Sequence, residues 1–372
     1  MTLRVGIVSA GWGAFAHLPA WRAIPGVEVT AICTSCEQTA RAAQQRLGLP
    51  LAFWDAEAMC ADPDIDIVDL GTRPSVRLPM VLAAIRNGKH IYNACPHAPD
   101  WAGALAIDAA LAGSHTLGVI DAFSEHLPAH RQMQVMLDDG YIGEPLGGIC
   151  HFNLSLFNRP DKRFPYGWFA DGSAGVSAVR NNGSHMLHVL TRMLGPVDRL
   201  VADDTQVLKQ WVYPDGDTIT PQTNDFANVI LKFRSGLTMT MQVGWNMPLA
   251  SGWMIDLHGT KGRLRAESPT FPTARDCVLH GGQLGGVMEL IAMPEAYKSH
   301  PDIALDWEAE IPPSFPMAIT MKGLVDAISG QGHPAPDFRR ALEIERILEA
   351  IRRSNTARSW MSLDQIGREQ KT

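Results

Sequence analysis

Short apolar runs recur through the first third of the chain, at residues 3–9, 27–33, 65–70 and 90–92, separated by stretches with helical spacing. Runs of that length without polar alternation predict parallel strands buried on both faces. Segment 37–47 ends at Gly48 and segment 79–86 ends at Asn87-Gly88, which puts glycine where a helix closes in the left-handed conformation. Strand and helix in alternation predict a Rossmann-like, doubly wound parallel sheet over residues 1–123, an α/β domain.

Beyond about residue 145 the period shortens to two. Ala227, Val229, Leu231 and Phe233 alternate with other residues, and Arg234-Ser235-Gly236 turns the chain. Leu237, Met239, Met241, Val243 and Trp245 then alternate with Thr238, Thr240 and Gln242. This is an antiparallel hairpin with one buried face and one flat polar face. With further strands at 146–157, 199–208 and 253–266, it predicts a second α+β domain, residues 124–336, built on a large, mainly antiparallel open sheet. Such a face suits a homo-oligomer, a dimer or tetramer. Leu342, Ile344, Ile347, Leu348 and Ile351 return at helical spacing behind Pro336-Asp337, predicting a last helix over 337–354.

Composition narrows the function. The chain has 372 residues, 46% hydrophobic and 19% charged, and 32 basic against 39 acidic residues leave a net charge of −7. That balance argues against nucleic acid or an anionic membrane as partner and leaves a small-molecule substrate. No apolar stretch reaches the roughly 18 residues needed to span a bilayer. Residues 1–20 read as strand, turn and helix instead of a signal peptide, because two glycines and a histidine interrupt the apolar run. Six cysteines in a chain of this size imply no disulfide framework, and a reducing cytoplasm is the expected home.

Candidate chemistry begins at Gly11-Trp12-Gly13-Ala14-Phe15-Ala16, a G-x-G-x-x-A between the first strand and the first helix. Glycines there permit a tight turn and close approach to a pyrophosphate, so the expected cofactor is NAD(P). The second strand ends in Cys33-Thr34-Ser35, where a carboxylate would favour NAD; its absence, with two hydroxyls in place, slightly favours NADP, the nearest basic residue being Arg41. Cys33 and Cys36 form a single C-x-x-C with no second pair, and no metal is expected there.

Farther on, a small-residue loop over 171–175 leads towards Asn181 and a helix carrying His185 and His188, which share a face by spacing. Histidine suits proton transfer near neutral pH, although on an apolar helix it also serves simply as a hydrogen-bonded core residue. His126 and His130 read as i and i+4 on one helix. With His97 and His151 they lie too far apart in sequence to be placed together as a metal site.

In order and spacing, residues 11–33, 64–74, 88–90, 142–145, 168–194 and 258–262 resemble the Gfo/Idh/MocA oxidoreductases, the family of glucose–fructose oxidoreductase and the inositol dehydrogenases. The resemblance implies a Rossmann domain joined to an open-sheet domain, bound NAD(P), a sugar, cyclitol or related polyol as substrate, and a last helix packed back on the first domain. It places cofactor contacts at Thr72, Arg73 and Asn93 and substrate contacts at His126, Trp168, Arg180 and His188. It also exposes departures. The family's Glu-Lys-Pro, with its catalytic lysine, is Ala94-Cys95-Pro96 here, the aspartate four residues before the catalytic histidine is Asn181, and a histidine after the Thr-Pro-Pro turn is Arg77. The implied catalytic set is therefore His185, Asn181 and Cys95, with Tyr92, Asn93 and Arg180 as alternative replacements for the lysine. A hydride-transferring oxidoreductase is expected first; a redox-cofactor-assisted lyase or hydrolase, or a non-catalytic NAD(P) sensor, also fits an altered centre.

Overall fold

The apolar runs of the first third become one parallel sheet. In the computed structural model, which describes residues 2–163 and 167–367, β1 (Leu3–Val8), β2 (Val27–Cys33), β3 (Leu51–Phe53), β4 (Ile67–Leu70), β5 (His90–Asn93) and β6 (Gly118–Ile120) pair in the order β3-β2-β1-β4-β5-β6. Every neighbouring pair is parallel. Val5, Ile7, Ile32, Val68, Leu70 and Ile91 are buried, as strands covered on both faces require. The strands β3 and β6 have three residues each and are too short to register as apolar runs.

The sheet is crossed by α1 (Leu18–Arg22), α2 (Glu37–Leu47), α3 (Ala56–Ala61), α4 (Pro74–Arg86) and α5 (Trp101–Leu111). Helix α4 starts five residues before the expected position: Pro74 occupies the first turn, where its missing N–H costs nothing, and Pro79 is carried inside the helix. Strand order reverses between β1 and β4, so the crevice beyond their carboxyl ends is where such sheets hold a ligand.

The remainder forms a second unit with α6 (Pro128–Asp138), β7 (Pro145–Asn153), α7 (Ser184–Leu194), β8 (Val197–Thr205), β9 (Trp211–Val212), β10 (Thr218–Ile219), β11 (Phe226–Phe233), β12 (Thr238–Gly244), β13 (Gly252–Gly259), β14 (Gly262–Ser268), β15 (Val278–Gln283), β16 (Glu289–Leu290) and β17 (Met361–Ser362). Nine strands pair in the order β16-β15-β14-β13-β7-β12-β11-β8-β17, and β9 with β10 makes a separate ribbon. The pairing is antiparallel except between β7 and β12. Met239, Met241 and Val243 are buried while Thr240 is exposed, as the alternation requires. The single strand expected over 253–266 is a hairpin, folded at Thr260-Lys261. Gly259 permits that turn, since a Cβ there would meet Ile142 O at 2.3 Å.

The domain limits also shift. By contacts the chain separates into Met1–His126 with Lys298–Leu342, and Leu127–Tyr297 with Glu343–Thr372. Segment 298–342, including α8 (Ser314–Ile328), thus belongs to the first unit, not the second: Ser314 donates to Ala16 O at 2.8 Å and Ala304 N to Ala23 O at 2.8 Å. The last helix, α9 (Phe338–Ala357), stays with the first unit only as far as Leu342. Farther along, Ser354 accepts from Ala202 N and Asn355 from Asp204 N, both on β8. An amphipathic stripe announces a buried face without naming the partner that covers it. Among the described residues no helix is long and apolar enough to cross a membrane.

Candidate active site

The glycine motif follows β1 and opens a helical run, a π turn over Gly13–His17 continuing into α1. Its two glycines serve different ends. A Cβ on Gly13 would meet Ile7 Cγ2 at 2.8 Å and Ser9 Cβ at 3.2 Å, so the turn lies against the strand only without a side chain. A Cβ on Gly11 would meet nothing nearer than Ser9 Oγ at 3.7 Å. The protein leaves that face open, and an open face at the first glycine is the cradle a pyrophosphate occupies in this type of turn. Phe15 N donates to Gly11 O at 2.9 Å, Ala14 N to Ser9 O at 3.1 Å, and Ala16 is fully buried beneath. Trp12 is half-buried and Phe15 exposed, with ring centroids 6.0 Å apart. The residues present fit a dinucleotide.

Directly behind this turn lies a group of ionisable residues absent from the expected site. His17, fully buried, places Nδ1 2.8 Å from Asp69 Oδ1 and Nε2 3.2 Å from Asp121 Oδ2. Trp21 Nε1 donates to Asp69 Oδ2 at 2.7 Å and the Tyr92 hydroxyl to Asp121 Oδ1 at 2.6 Å. Burial alone would lower the His17 pKa, but the charges of Asp69 and Asp121 and their hydrogen bonds outweigh it and raise it to about 10. Burial, and then Asp121, pushes the Tyr92 hydroxyl well above its ordinary value. An imidazolium between two carboxylates ties the glycine turn to β4, β5 and the residue after β6.

At the end of β2, Thr34 Oγ1 is 2.6 Å from Thr39 Oγ1, Ser35 is exposed, and Cys36 stands at the N-cap position of α2 without a side-chain capping bond. Arg41 is paired with Glu37 at 2.7 Å and lies 5.5 Å over the Trp54 ring. Burial pushes the Cys33 thiol up to about 12, whereas the Thr39 hydroxyl lowers that of exposed Cys36. The two cysteines are free and chemically unlike.

Thr72 and Arg73 follow β4, Thr72 half-buried and Arg73 exposed at the start of α4. Asn93, fully buried, ends β5 and donates to His97 Nδ1 at 3.1 Å and His97 O at 3.0 Å. Cys95 is half-buried against the core of this unit, and its bond to Pro96 is cis. Arg77 sits beneath, donating to the carbonyls of Thr72, Ala94 and Pro96.

In the second unit, Asp171 Oδ1 accepts from Ser173 N at 2.8 Å and Gly175 takes a φ of 78°, which shapes the small-residue loop. Arg180 donates from Nε to Gly175 O at 3.1 Å and from Nη2 to buried Glu345 at 2.8 Å. Asn181 lies in a π turn over Val179–Gly183 that runs straight into α7, and its carbonyl accepts from Ser184 Oγ at 2.8 Å. His185 and His188 stand on α7, both buried, with the His185 ring edge-on to Phe271 at 5.8 Å. Trp168 is edge-on to Phe169 at 4.5 Å within an aromatic cluster. His126 and His130 do not share a helix. A 3-10 turn ends at His126, and Leu127, before Pro128 at the start of α6, has φ −60° and ψ 136°, outside the helical region. The two histidines fall in different units, and His130 accepts from Trp253 Nε1 at 3.1 Å. Among the described residues no three His, Cys, Asp or Glu side chains gather as a metal site.

Residues 3–120 match the oxidoreductase family with an NAD-binding Rossmann fold, and residues 130–265 match the GFO/IDH/MocA C-terminal domain. The chain belongs to the Gfo/Idh/MocA family of oxidoreductases. It is 27% identical to a D-apiose dehydrogenase of Paraburkholderia graminis over 263 residues, 70% of this chain and 66% of that protein. It is 21% identical to glucose-fructose oxidoreductase domain-containing protein 2 of Xenopus laevis over 92% of this chain and 89% of that one. A levoglucosan dehydrogenase solved with NADH and L-sorbose has the same fold, with a TM-score of 0.86 over 98% of this chain and 100% of that one at 20% identity. So has an NAD-binding oxidoreductase from Klebsiella pneumoniae, with a TM-score of 0.84 over 98% and 99% at 22% identity.

Within this Gfo/Idh/MocA chain, the cofactor candidates Gly11 to Phe15, Thr34, Ser35, Thr72, Arg73 and Asn93 all lie at the carboxyl edge of one sheet. The three alternatives to the lysine are otherwise engaged: Tyr92 with Asp121, Asn93 with His97, and Arg180 with Glu345. Sequence reasoning missed His17, Trp21, Asp69 and Asp121. The signal was Asp69 itself, a carboxylate inside an otherwise apolar strand, which demands a buried partner.

Proposed function

We propose that the protein is an NAD(P)-dependent oxidoreductase that transfers a hydride to or from a polyhydroxylated or cyclic alcohol or its ketone, of sugar, cyclitol or dihydrodiol type. The observation that carries this reading is the open face at Gly11 above a turn that Gly13 seats against β1. The names of the apiose and levoglucosan dehydrogenases support the substrate class. Gly11 to Phe15 would hold the pyrophosphate, Thr34 and Ser35 the adenosine ribose, and Thr72, Arg73 and Asn93 the nicotinamide end. The bound cofactor supplies the hydride chemistry.

His185 takes the hydroxyl proton of the alcohol on an imidazole nitrogen as the carbinol is oxidised, and returns it in reduction. Asn181 orients the site without adding charge, and Trp168, His188, Arg180 and His126 contribute to substrate binding. NADP is slightly favoured because no carboxylate follows β2 at Thr34-Ser35, although a 2′-phosphate would have to draw Arg41 from Glu37. The open sheet face presents Ile230, Thr240 and Ile149 side by side in register, and this surface forms a homo-oligomer.

A second reading rests on Cys95 in place of a basic residue: a lyase, for which the bound cofactor would supply a transient oxidation with no net turnover of its own. A fluorescence titration with each nucleotide, followed by a 340 nm assay on a panel of polyols, tests the proposal. Binding of NADP at least as tight as NAD, with net reduction by some polyol, is expected. Product formation without net NAD(P)H would favour the lyase, binding without turnover the sensor, and no binding of either nucleotide would end the oxidoreductase reading.

A further inference from the structure

Arg77 is 1% exposed, yet it is neither on the sheet nor among the residues assigned to cofactor or substrate above. From the first turns of α4 its guanidinium reaches two separate loops at the carboxyl edge of the sheet. One nitrogen donates to Thr72 O in the loop after β4; the other donates to Ala94 O, at 2.8 Å, and to Pro96 O in the loop after β5. The two carbonyls gripped in the second loop belong to the residues on either side of Cys95. Asn93 closes the same loop from within through its two bonds to His97, whose ring packs edge-on to Phe338 at 4.6 Å.

We infer that Arg77 is a positioning residue that clamps the loops after β4 and β5 together and sets the placement and reactivity of the Cys95 thiol. This rests on the oxidoreductase reading only in giving the clamped edge to the nicotinamide end of the cofactor. A guanidinium remains charged at any working pH, and its planar fork serves acceptors in two directions from two nitrogens, which an ammonium on a flexible stem does not reproduce. Its donors hold the carbonyls on either side of Cys95 and so fix the backbone that carries the half-buried thiol, which sets the access a reagent has to it.

The test uses the full chain with Arg77→Gln and Arg77→Lys. Iodoacetamide labelling is followed by peptide mass mapping, with exposed Cys36 as internal reference, and amide exchange is read over residues 93–98 and 9–17. In Arg77→Gln the Cys95-to-Cys36 labelling ratio at pH 7 should rise about tenfold, as the half-buried thiol is released with its loop. In both variants exchange over 93–98 should rise about tenfold, as a clamp of charge-assisted bonds is lost, while 9–17 stays unchanged. If Arg77→Gln does not fold, exchange in Arg77→Lys decides. An unchanged labelling ratio in folded Arg77→Gln, or unchanged exchange over 93–98 in Arg77→Lys, overturns the inference. Labelling of the parent in the presence of NADP reads the cofactor assignment separately: absence of protection there would count against the oxidoreductase reading and leave the clamp standing.

Discussion

The turn after β1 and the loop after β5 leave the same edge of the same sheet, yet they have been treated differently. The first keeps the glycine pattern of its family and is anchored by His17, Asp69 and Asp121. The second carries Ala94-Cys95-Pro96, with no basic side chain of its own, and is held by Arg77 and Asn93 through backbone carbonyls and His97. The difference separates two demands. A pyrophosphate is met by backbone shape, which the first turn supplies, whereas a reacting oxygen is met by side chains, and the second loop is built from carbonyl contacts instead.

That separation can be attacked first at His185, in the unit that carries no part of the glycine turn. His185→Ala should lower turnover by about 10²–10⁴-fold while nucleotide affinity stays within error, as loss of a general base does. Steady-state rates on an active polyol, with nucleotide titrations alongside, check it. A fully active variant would hand the proton to another group, Cys95 foremost.

His17 gives the next largest effect. Removing it leaves two buried carboxylates facing each other, and His17→Ala should cost about 3–5 kcal/mol, a fall in Tm on the order of 10 °C. The sign of the pH dependence follows from a folded pKa raised to about 10 above a free value near 6.5. The stabilisation is complete below about pH 6.5, declines as pH rises, and is gone above about pH 10. The difference in Tm between parent and variant, measured across that window, should shrink steadily; a constant difference would show that the network is not charged.

The smallest effect belongs to the far end of the β5 loop. Asp100 caps α5 by accepting from Gly103 N at 2.7 Å, and Asp100→Ala should cost about 1 kcal/mol. Thermal melts with amide exchange over α5 would register it, and a change in nucleotide affinity would contradict the assignment of this end to helix capping alone.

How much of this was legible beforehand depended on the range of the interaction. Gly48 closing α2 and the alternation from Leu237 to Trp245 are local signals, written in spacing, and the structure follows them. The Gly11 to Ala16 motif is equally local. By contrast, the partners of Asp69 lie 48 and 52 residues away, and Asp121 meets His17 across 104. Arg180 finds Glu345 across 165 residues, and nothing in α9 distinguishes that carboxylate from its solvated neighbours. The switch of α9 from one unit to the other at Leu342 has the same cause, since a continuous helical stripe is blind to which surface covers each turn. Between His126 and His130 the period alone suggested one helix; Pro128 was the contrary signal, and it prevailed.

The central claim is that the turn after β1 is a working nucleotide site, and Gly11→Val tests it most directly. A Cβ there makes only an ordinary contact with Ser9 Oγ at 3.7 Å, so the fold should survive, in contrast to Gly13→Val, which must push into Ile7. Calorimetric titration of parent and Gly11→Val with NADP and NAD should show binding in the parent and its loss, by about 100-fold or more, in a variant whose Tm is unchanged. Equal nucleotide affinity in the folded variant, or no affinity in the parent, would contradict the account.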